Sequence, residues 1–106
     1  EQIAMTPDIE RARRESLRWL ILLTLNNARP LGAPERLILT VAQSEYPDAT
    51  QHEMRRELDY LDDRDLVEIK KEPSGGWKCD LTRYGTDIAE YTIDCEPGIA
   101  RPQKYW

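Results

Sequence analysis

Four side chains near the middle of the chain have the types and spacing that suit contact with nucleic acid. They are Gln51, His52, Arg55 and Arg56. Met54, Leu58 and Leu61 recur every three or four positions around them and predict the buried stripe of a helix. The four polar side chains then point outward, where amide, imidazole and guanidinium groups reach base edges and phosphate oxygens. The alternative is that the two arginines pair with neighbouring carboxylates on a solvated surface.

Three lysines follow in the next segment of the chain. They are Lys70, Lys71 and Lys78. Ammonium groups clustered on a hairpin suit contact with phosphates. Lysines are also common at sheet edges, where they prevent pairing with another strand, and this is the alternative interpretation. Trp77 is expected to pack across the hairpin against an apolar partner.

The charge of the whole chain opposes contact with nucleic acid. Its 106 residues carry 15 basic and 20 acidic side chains, a net charge of −5. Residues 31–72, which include the helix with the four candidate side chains, hold six basic and eleven acidic residues. Bulk charge therefore excludes a protein that coats nucleic acid, but it is compatible with a local basic patch.

The sequence lacks the residue sets that catalysis or metal binding needs. Cys79 and Cys95 are far apart and His52 is the single histidine, so a zinc quartet of Cys and His cannot form. A disulfide between the two cysteines is not favoured. With no nucleophile-and-base arrangement and no glycine-rich phosphate loop, we expect neither an enzyme nor a cofactor. The longest apolar run is too short to span a membrane, and we expect a cytoplasmic protein.

A long helix is the first of the elements that must position these side chains. Thr6 and Pro7 predict its start and Asn27 its end. Apolar residues occupy two of its sides, and those off the main face are Trp19, Leu22 and Leu23. They predict either the interface of a homodimer or packing beneath the C-terminal tail. Its solvated side is expected to carry four arginines, Arg11, Arg13, Arg14 and Arg18.

Two shorter helices and a tight turn come next. The second helix is predicted from residues 33–35 to about Glu45, and its inward side chains are expected to be Leu37, Ile38, Val41 and Ala42. A turn at Tyr46-Pro47 ends it, because the residue before proline disfavours helical geometry. Thr50 is the predicted N-cap of the third helix, and Glu53 completes a capping box.

A β-hairpin and a fourth helix complete the pattern. Residues 66–70 and 77–81 alternate as strands, and Pro73–Gly76 is the turn between them. Thr82 caps a fourth helix that is expected to run through Tyr91. The chain is therefore divided into an N-terminal extension of residues 1–5, a domain of residues 6–91 and an extended tail of residues 92–106.

This order of elements is that of a winged helix-turn-helix, a mainly α fold with a β-hairpin wing. Two motifs resemble those of MarR-, PadR- and ArsR-like proteins. Residues 58–67 are similar to the pattern L-x-x-L-x-x-x-G-L-V, with Asp65 where the family has glycine in a left-handed cap. Residues 81–89 are similar to L-T-x-x-G-x-x-x-A, in which Gly85 is expected to permit close approach of another helix.

Residues from about Glu10 to Pro102 also resemble small winged-helix proteins of Mu-like phages and prophages. The most particular part of the resemblance is the tail sequence Pro-Gly-Ile-Ala-Arg-Pro at residues 97–102. The resemblance implies a phage setting and a DNA-binding protein. We expect a DNA-binding protein or transcriptional regulator with double-stranded DNA as the partner, and the second apolar face of the first helix favours a homodimer. The alternative is a protein–protein interaction module on the same scaffold, because the third helix is acidic.

Overall fold

The computed structural model describes residues 6–104, which form four α-helices and a three-stranded antiparallel sheet. This confirms the predicted mainly α fold with a wing. The proposed N-terminal extension, residues 1–5, lies outside the described residues. In chain order the elements are α1 Pro7–Ala28, β1 Ala33–Pro34, α2 Glu35–Glu45, α3 Gln51–Asp63, β2 Val67–Lys71, β3 Trp77–Leu81 and α4 Arg83–Ala89.

Three threonines begin three of the helices. The hydroxyls of Thr6, Thr50 and Thr82 each accept a hydrogen bond from the backbone N–H three residues later, at 3.2, 3.2 and 3.0 Å. Each such cap contributes about 1 kcal/mol to helix stability. The capping box predicted at α3 is only half formed, because the Glu53 carboxylate binds the Arg13 guanidinium of α1 instead.

The sheet contains one strand that the sequence analysis did not predict. Ala33 and Pro34, expected to open the second helix, form β1 and pair antiparallel with β3, opposite Cys79 and Lys78. The strand order is β1-β3-β2. A strand of two residues is too short to show alternating polarity in the sequence, so the pattern alone could not reveal it.

The core surrounds α1, and the second apolar face of this helix is largely covered by the same chain, which agrees with the second of its two interpretations. Leu22 has no exposed surface, and Trp19 is 9% exposed and lies edge-on to the Tyr91 ring at 5.9 Å. Both are core residues of this one chain, while Leu23 is half-buried. In α2 the expectation fails at Leu37, which is 45% exposed because the inner face of the helix is centred on Ile38 and Ala42.

The junctions at both ends of the wing depend on unusual backbone positions. Asp65, at the end of α3, has a φ of 61°, which is the left-handed cap expected at this point of the motif. Gly85 lies against the wing rather than another helix, since a Cβ there would stand 2.1 Å from the Leu66 carbonyl oxygen. The missing side chain therefore lets α4 approach the start of the wing.

The C-terminal segment is packed onto the helices. The last helix ends at Ala89, two residues before the predicted end, and Tyr91 takes a φ of 62°. Ile99 is buried, and the Ala100 N–H donates to the Glu15 carbonyl oxygen of α1 at 3.1 Å. The described part of the tail is therefore part of the folded unit.

Candidate nucleic-acid interface

The first turns of α3 present part of the predicted surface to solvent. Gln51 and His52 are exposed, and the Arg56 side chain is 54% exposed. Arg56 pairs with the buried carboxylate of Glu57 at 3.2 Å but keeps much of its guanidinium at the surface. Three of the four predicted side chains of this helix are thus accessible to a ligand.

Arg55, the fourth, is held by the protein itself. Its Nε and Nη2 donate to the two carboxylate oxygens of Glu35 at 2.7 and 2.6 Å, and Nη2 also donates to the Gly75 carbonyl oxygen at 2.7 Å. Its guanidinium carbon lies 4.5 Å from the centre of the Trp77 ring. The prediction that Arg55 points freely outward is therefore wrong, because α2 and the wing already occupy it.

Glu35, which the sequence analysis did not single out, is the buried carboxylate that holds Arg55. It opens α2, its side chain is 8% exposed, and it also accepts the Trp77 backbone N–H at 2.8 Å. The hydrogen bonds from Arg55 lower the pKa of Glu35 against the opposing effect of burial, with a smaller contribution from the Gln51 side chain. A carboxylate in the first turn of a helix looks like an ordinary dipole partner, so its sequence position did not single it out.

The wing places its three lysines on two faces. Lys70 lies directly opposite Lys78 in the register of β2 and β3, so both share one face of the sheet. Lys71 lies opposite Trp77 on the other face, with its ammonium nitrogen 4.9 Å from the ring centre. The ring is half-buried and packs against the apolar core as expected, and it also lies between Lys71 and Arg55.

Two of the four α1 arginines are cross-links to α3, which corrects the interpretation of a solvated basic side. Arg13 forms two hydrogen bonds with Glu53, at 2.8 and 2.9 Å, and contacts Asp48. Arg18 donates to Glu57 at 2.8 Å and to the Gly98 carbonyl oxygen of the tail at 2.9 Å. Neither guanidinium is available to a partner molecule.

The C-terminal half of α3 is an acidic surface. The side chains of Asp59, Asp62 and Asp63 are exposed, and Asp65 follows them in the turn. Glu57 differs, since its side chain is 1% exposed and its charge is balanced by Arg18 and Arg56. The acidic character predicted for this helix is therefore concentrated at the end that leads into the wing.

The remaining candidate chemistry concerns the two cysteines. Both thiols are free, and Cys79 is buried. Burial, the largest cause, raises the pKa of Cys79 to about 12, so this thiol is not a nucleophile at neutral pH.

Within residues 6–104, no three His, Cys, Asp or Glu side chains are grouped in a way that could hold a metal ion. Over the same residues, no helix has the length and apolar character needed to cross a membrane.

One solved structure has a similar fold. It is that of a protein from Ralstonia eutropha JMP134 that is described as an inferred DNA-binding protein. The fold of the present chain is a winged helix. The two structures superpose with a TM-score of 0.61 at 22% sequence identity, over 74% of this chain and 95% of the other. A likeness at this identity establishes the fold alone. No protein-family model matches the chain, and no curated protein matches it either.

Proposed function

We propose that this protein binds double-stranded DNA through the first turns of α3 and the tip of the wing. The observation that carries the proposal is the placement of Lys70 directly opposite Lys78 on one face of the sheet. Like charges in this position repel each other, and although the pair Glu68 and Asp80 lies next to them on the same face, a phosphate group beside both lysines would add a further counter-charge.

The exposed start of α3 supports the same proposal. Gln51 and His52 stand at the helix end where unpaired backbone N–H groups favour an anion. In winged-helix docking the N-terminal part of the recognition helix reaches the base edges, while the wing contacts the backbone. Gln51 then suits an adenine edge, and Arg56 suits a phosphate or a guanine edge.

The acidic half of α3 limits how the helix can approach a duplex. Asp59, Asp62 and Asp63 would repel phosphates if the helix lay along the groove over its full length. We therefore infer an end-on approach, in which only the first two turns enter the major groove. The fold shared with the Ralstonia protein is compatible with this approach.

The test is the salt dependence of duplex binding, measured by fluorescence anisotropy with a random-sequence duplex. Lys70→Gln/Lys78→Gln should weaken binding and reduce the slope of log K against log salt by about 2, since each lost phosphate contact removes roughly 0.9. Arg29→Gln/Arg83→Gln removes the same charge from the end of α1 and the start of α4, and it should leave the slope as in the wild type. Equal slopes for the two double variants, or no duplex binding at low salt, would contradict the proposal.

The acidic surface favours a second candidate function, docking of a protein with a basic surface onto the C-terminal half of α3. Replacement of Asp59, Asp62 and Asp63 by Asn separates the two candidates. It should strengthen duplex binding if DNA is the partner, because three like charges are removed.

The finer form of the first proposal is a regulator with a phage role that acts as a homodimer. A dimer would need its two α3 helices about 34 Å apart to fill successive major grooves.

A further inference from the structure

The geometry points to Arg55 as a positioning residue that fixes the angle of the wing relative to α3. One guanidinium joins three parts of the chain: α3, which carries it, Glu35 at the start of α2, and the wing turn at Gly75. Three of its five N–H donors are used in these bonds. Trp77 covers one face of the same group at 4.5 Å.

The wing tip has little else to hold it at a fixed angle. Residues 70–75 are exposed, so apolar packing contributes little there. The turn is closed by its own hydrogen bonds, from Glu72 to Gly76 at 2.8 Å and from Gly75 to Glu72 at 2.9 Å. These bonds shape the turn but do not attach it to the helices. Attachment comes from Glu35, which binds both the Trp77 backbone and the arginine that holds Gly75.

The buried carboxylate makes this attachment specific to arginine. The Glu35 side chain is 8% exposed, and its two oxygens match the two parallel N–H groups of a guanidinium fork. Lysine has the charge but offers a single point of attachment, and it cannot bind two carboxylate oxygens and the Gly75 carbonyl in this planar arrangement. The duplex-binding test of this inference rests on the proposed function, because a fixed wing angle matters for the contact of Lys70 and Lys78 with DNA.

The experiment compares duplex binding by Glu35→Ala and Arg55→Ala. A direct contact of Arg55 with phosphate and a positioning role of Arg55 predict opposite changes in the affinity of Glu35→Ala. Removal of the Glu35 charge should tighten binding if Arg55 contacts phosphate, because it releases the guanidinium. If Arg55 positions the wing, both variants should weaken binding about fivefold, the factor that ~1 kcal/mol of ordering cost removes. The double variant should then be no weaker than either single one, and the salt slope should equal that of the wild type.

A second measurement makes the inference independent of DNA. Amide hydrogen exchange over residues 72–77 should accelerate in both single variants and in Arg55→Lys, while exchange in the centre of α1 stays slow and shows that the variants fold. Tighter duplex binding by Glu35→Ala, or unchanged exchange at the wing tip, would overturn the positioning role. A wild-type protein that does not bind DNA would overturn the proposed function, and the exchange measurement would still decide the role of Arg55.

Discussion

Five arginines hold this fold together at the scale of single residues. Each has its guanidinium carbon 3.5–4.8 Å from the centre of a tyrosine or tryptophan ring, and each also bonds a carboxylate or carbonyl oxygen. They are Arg13, Arg18, Arg55, Arg64 and Arg101. A planar guanidinium can stack on a ring and donate in its own plane at the same time, which an ammonium group cannot do. Much of the basic charge therefore serves as internal cross-linking.

Because Gly85 has no side chain beyond a hydrogen atom, α4 can lie against the start of the wing. Gly85→Ala would place a methyl group 2.1 Å from the Leu66 carbonyl oxygen, a backbone atom that cannot move aside without shifting the wing. We expect a loss of ~3 kcal/mol in unfolding free energy, the upper range for overpacking. Gly76→Ala is the matched control, because its nearest neighbours lie at 3.9 and 4.0 Å. Equal urea midpoints for the two variants would contradict this account.

At the scale of elements, the C-terminal tail packs across the helices. Gly98 has a φ of 100° and lies so close to the Tyr60 hydroxyl that a Cβ would stand 2.2 Å from it. Arg101 donates to the carbonyl oxygens of Ile88 and Ile93, at 3.0 and 2.9 Å. Several residues of the Pro-Gly-Ile-Ala-Arg-Pro segment thus make a contact that requires that type of residue, and the segment packs against the helices.

Ile99 anchors the tail and gives it a measurable share of the stability. It is 8% exposed, whereas Ile93 in the same tail is 37% exposed. Ile99→Ala should lower the unfolding free energy by about 3 kcal/mol, and Ile93→Ala should lower it by about 1 kcal/mol or less. Thermal denaturation of both variants measures the difference. If the two lose equal stability, the tail is not anchored through Ile99.

At the scale of the whole molecule, the charge of −5 is unevenly distributed. Acidic side chains cover the C-terminal half of α3, while the exposed Lys70 and the half-buried Lys78 stand on the wing. Several carboxylates are held by arginines between elements, such as Glu35 by Arg55 and Glu53 by Arg13. The net charge is therefore a poor guide to the surface that a partner would meet.

The pair of Glu35 and Arg55 predicts that stability falls in acid. The hydrogen bonds of Arg55 lower the pKa of Glu35 below its usual 4.5. Its contribution to stability is fully present above pH 4.5 and disappears as the pH falls through the lower folded-state pKa. Glu35→Ala should therefore be less stable than the wild type at pH 7, and the difference should shrink towards pH 3. Urea unfolding across this range measures it, and parallel stability curves would show that Glu35 does not contribute.

The sequence by itself determined the four helices, the hairpin and their order, but not the two-residue strand β1. Threonine caps, the apolar stripe of α3 and the turn at Pro73–Gly76 are local features, and local hydrogen bonds or helical periodicity are enough to predict them. Asp65 in the left-handed cap was predictable for the same reason. The winged-helix fold follows from these parts because few chain paths connect them.

Only the tertiary structure decided which of the candidate side chains remain accessible at the surface. Arg55 and Arg56 are neighbours in the sequence, yet one is bound by Glu35, 20 residues away, and the other remains largely at the surface. Trp19 and Leu22 became core residues because the rest of the same chain covers them. Contacts between distant residues depend on how helices and wing pack together, and no periodicity in the sequence records that packing.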